Sequence, residues 1–115
     1  MRPAILFLAL GLLAAPTIAF ADDMANMKMG ESPADKAFMK SMKIMMKGMN
    51  VKPTGNPDKD FVVMMMPHHQ GAIDMANVEL QYGKDPELRQ LATDIVAAQE
   101  KEIAEMKAWL AKHGK

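Results

Sequence analysis

Three observations predict an all-α fold. Apolar residues recur at steps of three and four through three separate segments, and no segment alternates apolar and polar with period two. Each segment opens on Ser, Asn or Asp followed at once by proline, which caps a helix N-terminus and starts its first turn. The links are short, which favours antiparallel neighbours: one medium and two long helices, packed as a hairpin or bundle.

The chain begins outside that pattern. Arg2 gives a positive start, an apolar run covers Ile5 to Ala15, and Pro16-Thr17 breaks it before the small-x-small stretch Ala19-Phe20-Ala21. Residues 1–21 read as a secretory signal peptide, too short for a membrane span. The expected product is periplasmic, starts at Asp22, forms one small domain and has no membrane segment. Losing Arg2 leaves thirteen Lys plus Arg (14 − 1) against fourteen Asp plus Glu, so nothing favours nucleic acid or an anionic membrane. The chain has no cysteine. That removes disulfides, thiolate metal sites and a cysteine nucleophile, so a domain this small needs a helical core, pairing of chains or a metal.

Methionine is the unusual resource. There are fourteen, and eight fall between Met24 and Met49. A core built mainly from so pliable a side chain is poorly specified, which points to another use of the sulfur.

Residues 22–31, "DDMANMKMGE", read as a flexible tail with Met24, Met27 and Met29 exposed. Ser32, Pro33 and Asp35 open the first helix, and residues 32–115 form the expected metal-binding domain. Phe38, Met42, Met45 and Met49 form one face of that helix and Lys36, Lys40, Lys43 and Lys47 the opposite one. For Met42 and Met45, core packing is the expected role, with Gly48 and Asn50 ending the helix. The loop "NVKPTGNP" follows. Asn56 caps a second helix that starts at Pro57, places Asp58 and Asp60 in its first turn, and runs to about Tyr82, where Gly83 is expected as a left-handed stop. Asp85-Pro86-Glu87 starts the third helix, whose inward stripe is Leu88, Leu91, Ile95, Ile103, Met106 and Leu110.

The stretch "MMMPHHQGAIDM", residues 64–75, carries the chemistry. Pro67 lies inside the second helix, removes a backbone bond to Val63 and predicts a kink; Gly71 removes bulk beside it. The two together are a costly choice for a helix that only packs. Met65, His68 and Met75 fall on one helical stripe; His69 borders it, four residues from Met65, and Met64 lies four before His68. Neutral thioethers hold Cu(I) and Ag(I), and imidazole serves copper in both oxidation states, Cu(II) included. Zinc gains little from thioether. No Glu stands three before a histidine, as a di-iron bundle wants, and His-Glu-x-x-His is absent. The expected ligands are Met65, His68, His69 and Met75, with Met64 beside them. Met106, core by default, is a further candidate from the third helix. Gln99 or Glu102 is expected to orient a histidine. Asp74 reads as a surface partner of Gln70, and His113 as solvated.

The stretches "DFVVMMMPHHQGAIDMANVEL" and "YGKDPELRQLATDIVAAQEKEIAEMKAWL" resemble a bacterial family of exported, ferritin-like helical proteins known as a domain of unknown function, whose CopM-like members bind copper in the periplasm. The resemblance covers about Thr54 to Leu110. It implies a ferritin-like helical fold and a copper or silver role for Met65, His68, His69 and Met75.

Three functions compete at this point. The first is a Cu(I)/Ag(I)-binding protein that sequesters copper or exchanges it with donor and acceptor proteins, without turnover. The second is a copper-dependent redox enzyme, for which the sequence offers no catalytic acid, base or nucleophile. The third is a metal-free helical adaptor with a methionine docking face. A homodimer is a further expectation, since a two-helix hairpin leaves apolar surface wet unless the first helix or a second copy covers it.

Overall fold

The computed structural model describes residues 32–113. The expected signal peptide and the tail methionines Met24, Met27 and Met29 lie outside the described residues. Within them, each cap works as its sequence requires. The Ser32 hydroxyl accepts the Asp35 amide at 3.1 Å and opens α1, Pro33–Met49. Asn56 Oδ1 accepts the amides of Asp58 and Lys59 and opens α2, Pro57–Tyr82. Asp85 Oδ1 accepts from Glu87 and Leu88, both at 3.0 Å, and opens α3, Pro86–His113. These bonds satisfy amides that have no partner inside a helix. No strand occurs among the described residues, so the chain is an all-α helical bundle.

The α1–α2 link needs one special residue. Gly55 holds φ +87, which a Cβ would disfavour. Beside it the Asp60 carboxylate accepts the Thr54 amide at 2.9 Å and the Thr54 hydroxyl at 2.7 Å.

The end of α2 differs from expectation. Gly83 is extended, with φ −71 and ψ 152, and makes no left-handed stop. Arg89 of α3 instead donates to the carbonyls of Leu80 at 2.6 Å and Gly83 at 3.0 Å. The stop is tertiary. A Cβ at Gly83 would also collide with the Glu79 carboxylate.

The helices run antiparallel, with α2 in the middle. It packs against both α1 and α3, while α1 and α3 do not pack on each other. The core along α2 is thin: Val62, Ile73, Ala76 and Val78 are buried, joined by Ala92 and Met106 of α3. Ser41 is buried on α1 and spends its hydroxyl on the Phe38 carbonyl at 2.8 Å. The four lysines of α1 are exposed and its methionines Met42, Met45 and Met49 half-buried, as their spacing predicts.

Pro67 and Gly71 have a packing role that the sequence did not disclose. Helix α2 runs unbroken through Pro67. A Cβ built on Gly48 would lie 2.7 Å from the Pro67 Cβ, and one on Gly71 would lie 2.6 Å from Met45 Sδ. Gly48 therefore admits Pro67, rather than ending α1, and Gly71 admits Met45. The proline and glycine form the seat of α1 on α2, so their cost in helix stability is offset by close packing.

The third-helix stripe is also only half covered. Leu88 and Leu91 are 52% and 53% exposed, because α1 does not pack along α3 to close over them. No helix among the described residues is long and apolar enough to cross a membrane.

Candidate metal centre

On α2, Asp58, Val62, Met65 and His69 recur at steps of four, three and four and face α3. On α3, Glu102, Met106 and Trp109 recur at four and three and face back. Antiparallel packing brings the two sets together around a cleft of about 680 Å³, whose wall Phe61 and Glu105 complete. The lining combines two thioethers, one imidazole and two aromatic rings with three carboxylates, Asp58, Glu102 and Glu105, and includes no Lys or Arg. Such a cleft attracts cations.

His69 is held in place by α3. Its side chain is 13% exposed, and its Nε2 meets Oε2 of the half-exposed Glu102. Its Nδ1 is buried and has no hydrogen-bond partner. An ionised carboxylate can only accept, so in the neutral ring the proton sits on Nε2 and Nδ1 keeps its lone pair. The opposite tautomer would bury an unpaired N–H. A carboxylate that fixes a ring this way is a common support behind a metal-binding histidine. Of the two side chains expected to orient a histidine, Glu102 takes the part.

The six expected ligands fall into two groups. Met65, His69 and Met106 share the cleft, and Met106 is buried. His68 is exposed on the next stripe, its ring centroid 6.1 Å from that of His69 and tilted by 57°. Met75 is 42% exposed and lines a second, apolar groove of about 340 Å³ with Phe38, Leu88, Leu91 and Ile95. Met64 is half-buried and lines neither opening. The geometry thus pairs Met65 with His69, not with His68 and Met75. Gln70 donates to Asp74 at 3.0 Å, as expected for that surface pair. His113 is exposed and stacks on Trp109.

Sequence reasoning passed over Asp58, Glu105 and Trp109. Their signal was present in the helical spacing: each lies three, four or seven residues from a residue that faces the cleft. Among the described residues, no three His, Cys, Asp or Glu side chains converge as a metal site. The other soft donors in the same cleft are the thioethers of Met65 and Met106.

The chain is 45% identical over 53 residues to Uncharacterized protein L153 of Acanthamoeba polyphaga mimivirus, a match that covers 46% of this chain and 35% of that relative. This chain therefore matches about a third of that protein's length. A family profile, the domain of unknown function DUF305, matches residues 15–110. That span takes in α1, α2, α3 as far as Leu110 and every residue of the cleft, and the chain belongs to the DUF305 family.

Proposed function

We propose that the protein is an exported, periplasmic Cu(I)- and Ag(I)-binding protein that sequesters copper or exchanges it with donor and acceptor proteins, without catalysis. One observation carries the reading. Two methionines and a histidine whose Nδ1 is buried and unpartnered, from two helices, line a single cleft with three carboxylates.

Met65, His69 and Met106 hold the ion, with Nδ1 as the imidazole donor. Glu102 keeps the ring oriented, and the carboxylate rim concentrates cations at the mouth. Thioethers are neutral and soft, so the site prefers Cu(I) and Ag(I) to Zn(II), while the imidazole leaves room for transient Cu(II). Met64, His68 and Met75, on the adjoining open stripe, serve ions in transit. The likeness to CopM-like copper proteins supports the same role.

The test is a Cu(I) titration against a competing chelator under reducing conditions. The expected result is one tight equivalent that equimolar Zn(II) does not displace. Displacement by Zn(II), or the absence of a tight equivalent, overturns the reading.

A further inference from the structure

Trp109 has no part in the centre as described so far. It is the chain's single tryptophan, and it lines the same cleft as Met65, His69 and Met106. On α3 it stands three residues beyond Met106 and seven beyond Glu102, on the stripe that supplies both. Its own orientation is braced. The His113 ring stacks on the indole, centroids 4.7 Å apart and planes 24° from parallel, and His113 Nδ1 lies 3.0 Å from the Trp109 carbonyl oxygen. The indole is thus stacked by His113 and also lines the cleft.

Two sulfurs and one nitrogen leave a bound ion open on one side. In a cleft of about 680 Å³ that side admits water or a competing ligand. The carboxylates nearby are hard donors, better suited to divalent ions. An indole face is different: it is neutral, excludes water and attracts cations more strongly than any other aromatic side chain. Because thioether and imidazole ligands are also neutral, the ion keeps its positive charge for the ring to feel.

We propose that Trp109 closes the open side of a Cu(I) or Ag(I) ion held by Met65, His69 and Met106, through a cation–π contact, and so determines selectivity for soft monovalent ions. This rests on the metal-binding reading of the cleft.

The experiment is titration of the full mature chain with silver nitrate in halide-free buffer. It follows heat, indole absorption and indole emission together. The expected result is one equivalent of Ag(I) that shifts the absorption to longer wavelength and quenches the emission. Both changes should vanish in the Met65→Leu/Met106→Leu variant, which keeps apolar volume, and persist in His113→Ala. Trp109→Leu should bind Ag(I) roughly 5- to 30-fold more weakly, the range expected for a desolvated cation–π contact. Heat of binding with unchanged indole spectra, and full affinity in Trp109→Leu, would overturn the role of Trp109 while leaving the metal reading intact. No binding heat at all would overturn both. Quenching that survives in the double leucine variant but is lost in His113→Ala would put the ion at His113 and also overturn the proposal. The wild-type spectra carry the test even if a variant loses helicity.

Discussion

His69 gives one ring nitrogen to Glu102 across the α2–α3 interface and keeps the other buried without a partner. The neighbouring His68 is exposed. Adjacent histidines in one dipeptide therefore have unequal roles, and substitution separates them. Four-ligand structural zinc sites are worth roughly 10–16 kcal/mol, so losing one ligand costs on the order of 3 kcal/mol, about 100-fold or more in affinity. His69→Ala should lose Cu(I) affinity on that scale, and His68→Ala should keep nearly all of it. Glu102→Gln should weaken binding by about 10- to 100-fold, the usual effect of removing a carboxylate behind a metal-binding histidine. Chelator competition measures all three, with far-UV circular dichroism as the check on folding. Equal losses in the two histidine variants would sink the assignment.

The seat of α1 makes a prediction against helix propensity. Alanine is better than glycine inside a helix by about 1 kcal/mol. At Gly71, however, a Cβ would meet Met45 Sδ, Cγ and Cβ at 2.6, 2.8 and 2.9 Å. Overpacking of this kind costs about 1–3 kcal/mol. Gly71→Ala should therefore destabilise the protein in urea unfolding, and should become neutral or stabilising when combined with Met45→Ala. Additive effects in that double-mutant cycle would mean the contact is unimportant.

Acid should act on the α1–α2 loop. The Thr54 amide, and then its hydroxyl, hold the Asp60 carboxyl below its ordinary range. A depressed pKa means that the folded state favours the charged form. The associated stability is complete above the ordinary aspartate range and is lost as pH falls through the lower folded value. Asp60→Asn should be less stable than wild type at neutral pH, and the difference should shrink to nothing in strong acid. Unfolding midpoints at both extremes decide this; a gap that widens in acid has the wrong sign.

Leu88 and Leu91 supply the fourth prediction. At 52% and 53% exposure they contribute little to the chain's own stability, and with Phe38, Met75 and Ile95 they leave an apolar groove beside α2. We propose that a second copy covers it in a homodimer. Replacing both leucines by serine should change unfolding free energy by no more than about 0.5 kcal/mol each, the usual surface range. Sedimentation should show wild-type dimers and variant monomers. A monomeric wild-type chain would remove the dimer.

Local signals were the readable ones. Ser32, Asn56 and Asp85 cap the helices because each carries its acceptor two or three residues from the amides it serves. The lysine and methionine faces of α1 followed from spacing in the same way. Contacts between helices were hidden. Pro67 and Gly71 are spaced like a kink made for ligands, and only the approach of Gly48 and Met45 reveals their packing role. Gly83 looked like a left-handed cap, but Arg89, six residues on, closes the helix from outside. Met64, Met65, His68 and His69 straddle two neighbouring stripes, and periodicity cannot choose which one a partner helix will meet. The presence of α3 opposite Met65 and His69 makes that choice.

The cleft also lies far along the hairpin from the turn at residues 83–85. His69 precedes Gly83 by fourteen positions, about 21 Å at 1.5 Å per residue. Met65 and Met106 lie farther still from that turn. Local opening of two packed helices costs less free energy than global unfolding. With the proposed ion in the cleft, parting of α2 and α3 there would release it while the turn, pinned by Arg89, stays shut. Release of the proposed ion would then track local separation of the two helices and not global unfolding.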